Sequence, residues 1–562
     1  MEFEHVTRKE FLKGLLLTVA VASTSPASAQ EPATPAPSHD EITESDLKVL
    51  EKVFAIAFSD EERRALVGSV RGARRGFESV RTLPIDYTVE PPTPFAPLPG
   101  RLRKTKPGVS AKASPAKVTG NLSAEQIAFL PLRELADRVR TRKITSVALT
   151  EIYLDRLARY GDKLLCVVTH TPDLARKQAA AADAEIAMGK YRGPLHGIPC
   201  GIKDLFATKG IRTTWGADPL ENQMLDDDAE VVVRLREAGA VLVAKLSLGA
   251  LAQGDVWYKG RTRNPWKPDT GSSGSSAGPG AAVAAGLVGF AIGTETLGSI
   301  MSPSHVCRVS GLRPTYGRVS RRGAMAVSWT MDKIGPMCRE VEDCALVFAA
   351  IAGADPGDRS SVGLPFHYNP KIVLSKLKIG YPVMSGPGTG PSPDPQSVPH
   401  LKVLLDLGAN LKSVELEPTP PGVSLVLGVE ASSAFDAFTR GPEIQELKNS
   451  AWPVTYRANR YVPAVEYLQA QRARTLHQRR FEEQLGDLDL VVANERGGSL
   501  LLTTNLTGHP QVLVPNGVDD RGNPLSVSFV GRLYEEDVLL AVARLYQEAT
   551  GHHLKHPDLS GL

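Results

Sequence analysis

The pattern of apolar and polar positions divides the chain into segments of different kinds. From Leu130 onward, amphipathic stretches of helical period alternate with short apolar runs. Residues 147–160 and 174–188 have helical spacing, whereas the run at 240–243 (AVLV) is typical of a buried strand. This alternation predicts an α/β fold in which a central mixed sheet is covered by helices on both faces.

Upstream of this core, the pattern over residues 43–81 predicts two amphipathic helices. Ser59 and Glu62 have the spacing of a capping box at the start of the second helix. The predicted apolar faces consist of Leu47, Leu50, Phe54 and Ala57 in the first helix and Leu66, Val70, Ala73, Phe77 and Val80 in the second. We expect this hairpin, within a helical extension over residues 30–83, to pack on the main domain. A homodimer contact is the alternative.

The first residues have the composition of an export signal. A basic start precedes an apolar segment too short to span a bilayer, and Ala27-Ser28-Ala29 matches an A-x-A cleavage site. This predicts a signal peptide over residues 1–29 and a periplasmic or secreted protein with no stable membrane span after cleavage. Residues 7–13 are similar to the twin-arginine motif, but Lys9 replaces the second arginine, so the export route stays open. A hydrophobic first helix of the mature fold is the alternative.

A Pro-rich segment with the basic run RLRKTK follows over residues 84–124. Such segments are usually solvated, extended arms, although attraction to anionic envelope lipid or cell wall is an alternative. Residues 125–562 form the predicted main domain, in which 354–480 is the least patterned part. The net charge of the whole chain is +3, which gives no reason to expect a nucleic-acid partner.

The cysteines and the C-terminal histidines offer alternative sites. The chain has five cysteines, an odd and sparse set that favours free buried thiols over disulfides. Cys200 precedes Lys203 closely, but a cysteine nucleophile there would lack a base with a defined place. His552, His553 and His556 resemble a small metal cluster, yet a histidine-bearing tail is more often solvated surface. We therefore expect no metal and no cofactor.

The most informative stretch is TGSSGSSAGPGAAVAAGLVGFAIGTETLGSIMSPSHVCRVSG, residues 270–311. Its two Gly/Ser clusters flank an uncharged segment at 281–292 that predicts a short helix followed by a buried strand, which a flexible linker would not contain. Residues 274–278 also match G-x-S-x-G, the nucleophile elbow, with Ser276 as nucleophile. That motif follows a buried strand directly, whereas NPWKPDTGS precedes it here.

The same stretch resembles the amidase signature family. The family's core reads GGSSGG, an Ala-rich helix and then GTDTGGSIR, and its counterparts here are SGSSAG and GTETLGSIM. GIPCGIKD at 197–204 is similar to the family's lysine motif, and SGLRPTYGRVS, MDKIGPMCREVEDCA and NLTGHPQVLVPNG resemble three later segments. The likeness runs from about Leu130 to near the C-terminus. It implies the amidase-signature fold for residues 125–562, with 354–480 helping to shape the substrate pocket.

The resemblance implies a Ser-Ser-Lys triad. Ser299 matches the family nucleophile, Ser275 matches the bridging serine after a cis peptide bond from Gly274, and Lys203 matches the base. A lysine accepts a proton only when neutral, so burial behind the apolar run that precedes Lys203 must lower its pKa. An ion pair between Lys203 and Asp204 is the alternative. Ser275 can relay the proton because a hydroxyl both donates and accepts.

The resemblance also implies how the reacting carbonyl is held. The main-chain N-H groups of Thr296, Leu297, Gly298 and Ser299 would form an oxyanion hole at the start of a helix after Ser299. Supporting roles fall to Ser276, Asp204 and Gly274. Leu297 replaces a family glycine, and Glu295 replaces an aspartate.

Met301 matches a substrate-contact position. In members acting on acidic substrates an arginine there can bind a carboxylate, so Met301 favours a neutral or apolar acyl group.

Together these features predict an exported amidase that cleaves a linear carboxamide or N-substituted amide through a serine acyl-enzyme. Its partner would be a small-molecule amide. An ester or carbamate hydrolase using the same site and a non-catalytic binding protein that keeps the scaffold are the alternatives. A cytosolic glutamine amidotransferase subunit shares the core, but the signal peptide and Met301 argue against it.

Overall fold

An eleven-stranded mixed sheet forms the centre of the computed structural model. The structure describes residues 42–54, 56–83, 96–97, 99, 106–117, 120–383, 394–448, 450–498 and 500–562. The predicted signal peptide and most of the Pro-rich arm lie outside the described residues. The strands are β1 Val109–Ala111, β2 Val167–His170, β3 Pro199–Lys203, β4 Val241–Leu246, β5 Val256–Trp257, β6 Gly260–Arg261, β7 Arg263–Asn264, β8 Lys267–Gly271, β9 Phe290–Glu295, β10 Ser310–Arg313, β11 Lys333–Cys338, β12 Phe366–Tyr368, β13 Lys378–Val383, β14 Asn410–Glu415, β15 Leu490–Asn494, β16 Gln511–Val518 and β17 Pro524–Gly531.

The strand order of the main sheet is β14-β13-β15-β17-β16-β10-β11-β9-β3-β4-β2. β3 pairs in parallel with both β4 and β9, whereas β9 pairs antiparallel with β11. Every residue of β3, β4, β9 and β11 is buried. Strands buried on both faces need helices on both sides of the sheet, so the predicted mixed α/β fold is confirmed.

Helices cover this sheet and form the N-terminal extension. Their bounds are Glu44–Phe54, Asp60–Arg81, Ala124–Ala128, Leu132–Arg140, Ser146–Tyr160, Pro172–Ala187, Glu230–Glu237, Ala277–Ala284, Met301–Cys307, Val341–Ile351, Pro399–Asp406, Leu425–Ala434, Asp436–Arg440, Trp452–Asn459, Ala464–Leu485, Leu500–Thr507 and Glu536–Thr550. The helices predicted at 147–160 and 174–188 are present within one or two residues of those limits. The small-residue helix and buried strand predicted at 281–292 are also present, as Ala277–Ala284 and β9.

The two N-terminal helices pack on the chain's own Trp452–Asn459 helix. Leu47, Leu66 and Val70 form an apolar cluster with Ala458 and Tyr461. The capping box exists as predicted: the Ser59 N-H donates to Glu62 Oε2 at 2.8 Å, and the Glu62 N-H donates to Ser59 Oγ at 3.2 Å.

Two positions of the first predicted apolar face are exposed. The helix ends at Phe54, so Ala57 lies beyond it, and Phe54 itself is on the surface. The rest of that face is covered by the same chain, as expected for a docked hairpin.

The interior contains the cysteines. All five are buried and free.

In the part of the chain that the structure describes, no helix is both long and apolar enough to cross a bilayer.

Candidate active site

Lys203 is the last residue of β3, at the edge where β9 also ends. Its side chain is fully buried. Nζ donates to Ser275 Oγ and to Thr294 Oγ1, both at 2.8 Å. Burial lowers the pKa of Lys203 to about 7, although the carboxylates of Asp332 and Glu295 act in the opposite direction. A large fraction of this amine is therefore neutral near pH 7.

Asp204 faces a different lysine. Its Oδ1 lies 3.0 Å from Lys245 Nζ, and both side chains are fully buried. Its Oδ2 accepts hydrogen bonds from the N-H and the hydroxyl of Thr214, at 2.8 and 2.6 Å. The alternative in which Asp204 neutralises Lys203 is wrong, since Asp204 points to the Lys245 side of β3. Its supporting contacts fix the end of the strand that holds Lys203.

Ser275 lies in a loop that is held tightly between neighbouring segments. The Gly274–Ser275 peptide bond is cis. A Cβ at Gly274 would lie 1.9 Å from the carbonyl oxygen of Gly254, so only glycine fits there.

Ser276 binds the main chain of β9. Its hydroxyl donates to the Thr294 carbonyl and accepts from the Thr294 N-H, both at 3.1 Å. A hydroxyl occupied in this way and fully buried is poorly placed for the elbow alternative. The Ser276 N-H donates to the carbonyl of Ser299 at 3.1 Å, which places Ser299 beside the Ser275–Ser276 pair.

Residues 296–299, which we call the oxyanion loop, connect β9 to the Met301–Cys307 helix. Gly298 has φ +83°, a left-handed conformation that glycine adopts readily. Among the described residues, the N-H groups of Leu297, Gly298 and Ser299 donate to no acceptor in the protein. Leu297 is 38% exposed, so its side chain replaces the family glycine without entering the core.

Glu295 fixes the turn that follows Ser299. Its Oε2 accepts from the N-H groups of Ile300 and Met301, at 2.8 and 2.9 Å. Its Oε1 accepts from Arg313 and from Asn505 Nδ2, both at 2.8 Å. Burial opposes ionisation, but the Arg313 guanidinium and these hydrogen bonds lower the pKa of Glu295 to about 2. The carboxylate is therefore ionised and holds the main chain of Ile300 and Met301, directly after Ser299.

Ser299 is half-buried. Within the described structure it forms no hydrogen bond with Ser275 Oγ, which accepts from Lys203 instead. Catalytic hydrogen bonds are often long in a free enzyme and shorten when substrate binds.

A cavity of about 290 Å³ is lined by Thr294, whose hydroxyl binds Lys203, and by Thr296 of the oxyanion loop, whereas Lys203, Ser275 and Ser299 are not among its lining residues. Leu205, Met325 and Ile334 contribute to its apolar wall. Three arginines line the cavity: Arg321 pairs with Asp358, Arg322 pairs with Asp355 and Glu230, and Arg359 forms no ion pair among the described residues.

Two contacts at this site were not predicted. Thr294 binds the lysine amine, and Thr296 Oγ1 donates to Asp332 Oδ1 at 2.6 Å. The sequence motifs point only to the main-chain N-H of Thr296, and they give no role to Thr294 or Asp332. Strand pairing brings Asp332 to Thr296, because β9 and β11 are antiparallel neighbours.

The prediction that Met301 contacts the substrate finds no support in the position of its side chain. Met301 begins the helix after the oxyanion loop, and its side chain is fully buried. It packs in a core cluster with Ala281 and Cys307 and does not line the cavity.

The other residues that the sequence offered as sites, Cys200 and the C-terminal histidines, lie in surroundings that do not favour catalysis or metal binding. Burial raises the pKa of Cys200 to about 12, which disfavours the thiolate that a nucleophile needs. His553 lies 3.6 Å from Glu340, and the ring of His556 stacks on Phe129 at 4.0 Å between centroids. Over the described ranges, no group of His, Cys, Asp and Glu side chains is arranged to hold a metal ion.

Comparison with known proteins gives one consistent result. The sequence model named Amidase matches residues 148–494. The chain is 34% identical over 484 residues to one of the subunits of glutamyl-tRNA(Gln) amidotransferase from Roseiflexus sp. (strain RS-1), covering 76% of this chain and 98% of the relative. The corresponding protein of Methylococcus capsulatus (strain ATCC 33009 / NCIMB 11132 / Bath) is 35% identical over 478 residues, with 76% and 98% covered.

Solved structures agree with these relatives. The native peptide amidase of Stenotrophomonas maltophilia superimposes with a TM-score of 0.66 at 28% identity, covering 76% of this chain and 98% of that one. An amidase family protein of Bacillus anthracis str. Ames gives a TM-score of 0.69 at 27% identity, covering 78% and 94%. Because the family match spans more than half of the chain and near-complete relatives align with it, this protein belongs to the amidase family and is a hydrolase of carbon-nitrogen bonds.

Proposed function

We propose that the protein hydrolyses a linear carboxamide or N-substituted amide through an acyl-enzyme on Ser299. The observation that carries this proposal is the environment of Lys203. Among the described residues no carboxylate forms an ion pair with it, its amine is buried, and it donates to Ser275 beside the Ser299 main chain. A buried lysine without a counter-ion is suited to act as a base.

The chemistry follows from these positions. Neutral Lys203 accepts a proton from Ser275, which takes the proton of Ser299 as Ser299 Oγ attacks the amide carbon. The N-H groups of residues 296–299 stabilise the negative charge that develops on the carbonyl oxygen. The proton then returns to the departing amine, the C-N bond breaks, and water hydrolyses the resulting ester by the same route.

We further propose a neutral or apolar acyl group for the substrate. Support comes from the apolar side chains of Leu205, Met325 and Ile334 and from the acidic partners of Arg321 and Arg322, while the third lining arginine, Arg359, has no ion pair among the described residues. Esters and carbamates are acyl donors for the same mechanism and form the alternative substrate classes. Glutamine is a second candidate, because the amidotransferase relatives are 34–35% identical to this chain.

A substrate panel tests this proposal. The chain lacking residues 1–29 is assayed with neutral amides, peptide amides, anilides, esters, carbamates and glutamine, beside Ser299→Ala and Lys203→Ala. We expect hydrolysis of at least one neutral amide and a loss of about a thousandfold or more in both variants. Equal activity of wild type and Ser299→Ala would exclude Ser299 as nucleophile. A wild type inert towards every compound and towards a fluorophosphonate probe would favour the binding-protein alternative.

We also propose that the protein is exported and that residues 1–29 are removed. The support is the order of basic start, apolar segment and Ala27-Ser28-Ala29. Expression of the full chain in a Gram-negative host, followed by fractionation and mass measurement, should give a periplasmic protein that begins at Gln30. A cytoplasmic protein with an intact N-terminus would contradict this.

A further inference from the structure

Glu430, in the Leu425–Ala434 helix, is a buried carboxylate outside the active site on which five donors converge. It is only 2% exposed. Oε2 accepts from Ser328 Oγ at 2.5 Å and from the Thr330 N-H at 3.0 Å. Oε1 accepts from Thr330 Oγ1 at 2.7 Å, Tyr467 OH at 2.9 Å and Gln471 Nε2 at 3.0 Å. Two of these donors, Tyr467 and Gln471, come from the Ala464–Leu485 helix.

Arg474 supplies the opposite charge from that same helix. It is fully buried and donates to the hydroxyl and the carbonyl of Thr330, at 2.6 and 2.7 Å. It also donates to the carbonyl of Leu506 at 2.5 Å. Thr330 is therefore held between Glu430 and Arg474, and the same arginine holds the helix whose Asn505 binds Glu295.

Residues 327–332, which we call the bridge segment, connect this pair to the oxyanion loop. The N-H groups of Val327 and Ser328 donate to Asp332 Oδ2, at 2.8 and 3.0 Å. Asp332 Oδ1 accepts from Thr296 Oγ1 at 2.6 Å. A continuous set of hydrogen bonds thus extends from Glu430 through Ser328 and Asp332 to Thr296.

We propose that Glu430 is a positioning residue, which fixes the oxyanion loop through the bridge segment. This inference rests on the proposed function, since it needs residues 296–299 to bind the reacting oxygen. Glu430 itself touches no reacting atom. It lies in the region 354–480, so helices of this region set the geometry of the catalytic loop.

The substitution Glu430→Gln is a direct probe because it keeps size and shape. All five partners donate, so a carboxylate satisfies them all, whereas a glutamine replaces one acceptor oxygen by an NH2 donor. Whichever way the amide is turned, its NH2 meets groups that donate to the carboxylate. The hydroxyl partners can turn to accept, but the Thr330 N-H or the Gln471 NH2 loses its acceptor, so we expect the bridge segment to shift. A displacement of about 1 Å at a catalytic group lowers the rate by about a hundredfold.

The experiment compares wild type, Glu430→Gln and Glu51→Gln on the best amide of the panel. Glu51 is a matched control, because it is another buried glutamate, paired with Arg63 at 2.8 Å, in the N-terminal helices. We expect Glu430→Gln to lower kcat about 10- to 100-fold with KM within about twofold, and to weaken binding of an aldehyde analogue of the acyl group by the same factor as kcat/KM. Glu51→Gln should lower the unfolding temperature and leave kcat unchanged.

Ser328→Ala is a second, milder variant in case Glu430→Gln does not fold. It removes one hydrogen bond of the set, and kcat should fall severalfold without a matching change in KM. If Glu430→Gln folds and has the wild-type kcat, the inference is overturned while the proposed function stands. If Glu430→Gln does not fold, a wild-type kcat in Ser328→Ala has the same meaning. A wild type that hydrolyses no compound of the panel would overturn both.

Discussion

At the scale of single residues, we expect the buried amine of Lys203 to determine how the activity depends on pH. Lys203 accepts a proton only when neutral, and burial lowers its pKa to about 7. As pH falls below this value, the protonated fraction rises and kcat/KM should decrease about tenfold per pH unit. As pH rises above it, kcat/KM should reach a plateau. A profile of kcat/KM from pH 5 to 9 measures this, and a flat profile over that range would contradict Lys203 as the base.

Residue patterns identified some members of the site and missed others. Lys203, Ser275 and Ser299 lie in short contiguous motifs, so a resemblance to a family could point to them as candidates. Asp332 reaches Thr296 only because β9 and β11 are neighbouring strands. A pattern within one stretch of sequence cannot predict that pairing. For Met301 the motif gives the position in the chain but not the direction of the side chain, which packs into the core.

At the scale of elements, the loop before the Ala277–Ala284 helix depends on the absence of a side chain at Gly274. A Cβ there would lie 1.9 Å from the Gly254 carbonyl oxygen, so Gly274→Ala must displace Ser275 from Lys203. We expect fluorophosphonate labelling of Ser299 to slow by at least about a hundredfold, and the unfolding temperature to fall.

Gly68→Ala is the control for this prediction. Gly68 lies inside the Asp60–Arg81 helix, and a Cβ there meets nothing within 4 Å. Alanine should stabilise that helix by about 0.5–1 kcal/mol and leave labelling unchanged. Labelling of Gly274→Ala at the wild-type rate would show that the loop accommodates a side chain.

Elements were easier to predict than their arrangement. The helices at Ser146–Tyr160 and Pro172–Ala187 follow from spacing within a single stretch of chain. The order of the strands does not, since β3 lies between β4 and β9 and the sheet ends on β14 and β2. These pairings depend on contacts between distant parts of the chain.

At the scale of the whole molecule, the N-terminal helices act as a stabilising cover on the region around residue 457. Leu47 and Leu66 are buried against Ala458 and Tyr461, and Glu62 pairs with the buried Arg457 at 2.7 Å. The candidate catalytic residues Lys203, Ser275 and Ser299 belong to other elements. The extension therefore contributes to stability through packing and through one partly buried ion pair, without touching the triad.

Two substitutions separate these contributions from catalysis. Leu66→Ala truncates a side chain that is 1% exposed. Such a truncation costs about 2–5 kcal/mol, so the free energy of unfolding measured in urea should fall by that amount, and kcat should not change. Val49→Ala is the control, because Val49 is 60% exposed in the neighbouring helix and should change stability by less than about 0.5 kcal/mol.

Sedimentation of both variants tests the homodimer alternative. If the apolar face of the hairpin is buried only against its own chain, the sedimentation mass of both variants equals that of the wild type. If the wild type is a dimer and Leu66→Ala dissociates it, the hairpin forms a contact between two copies.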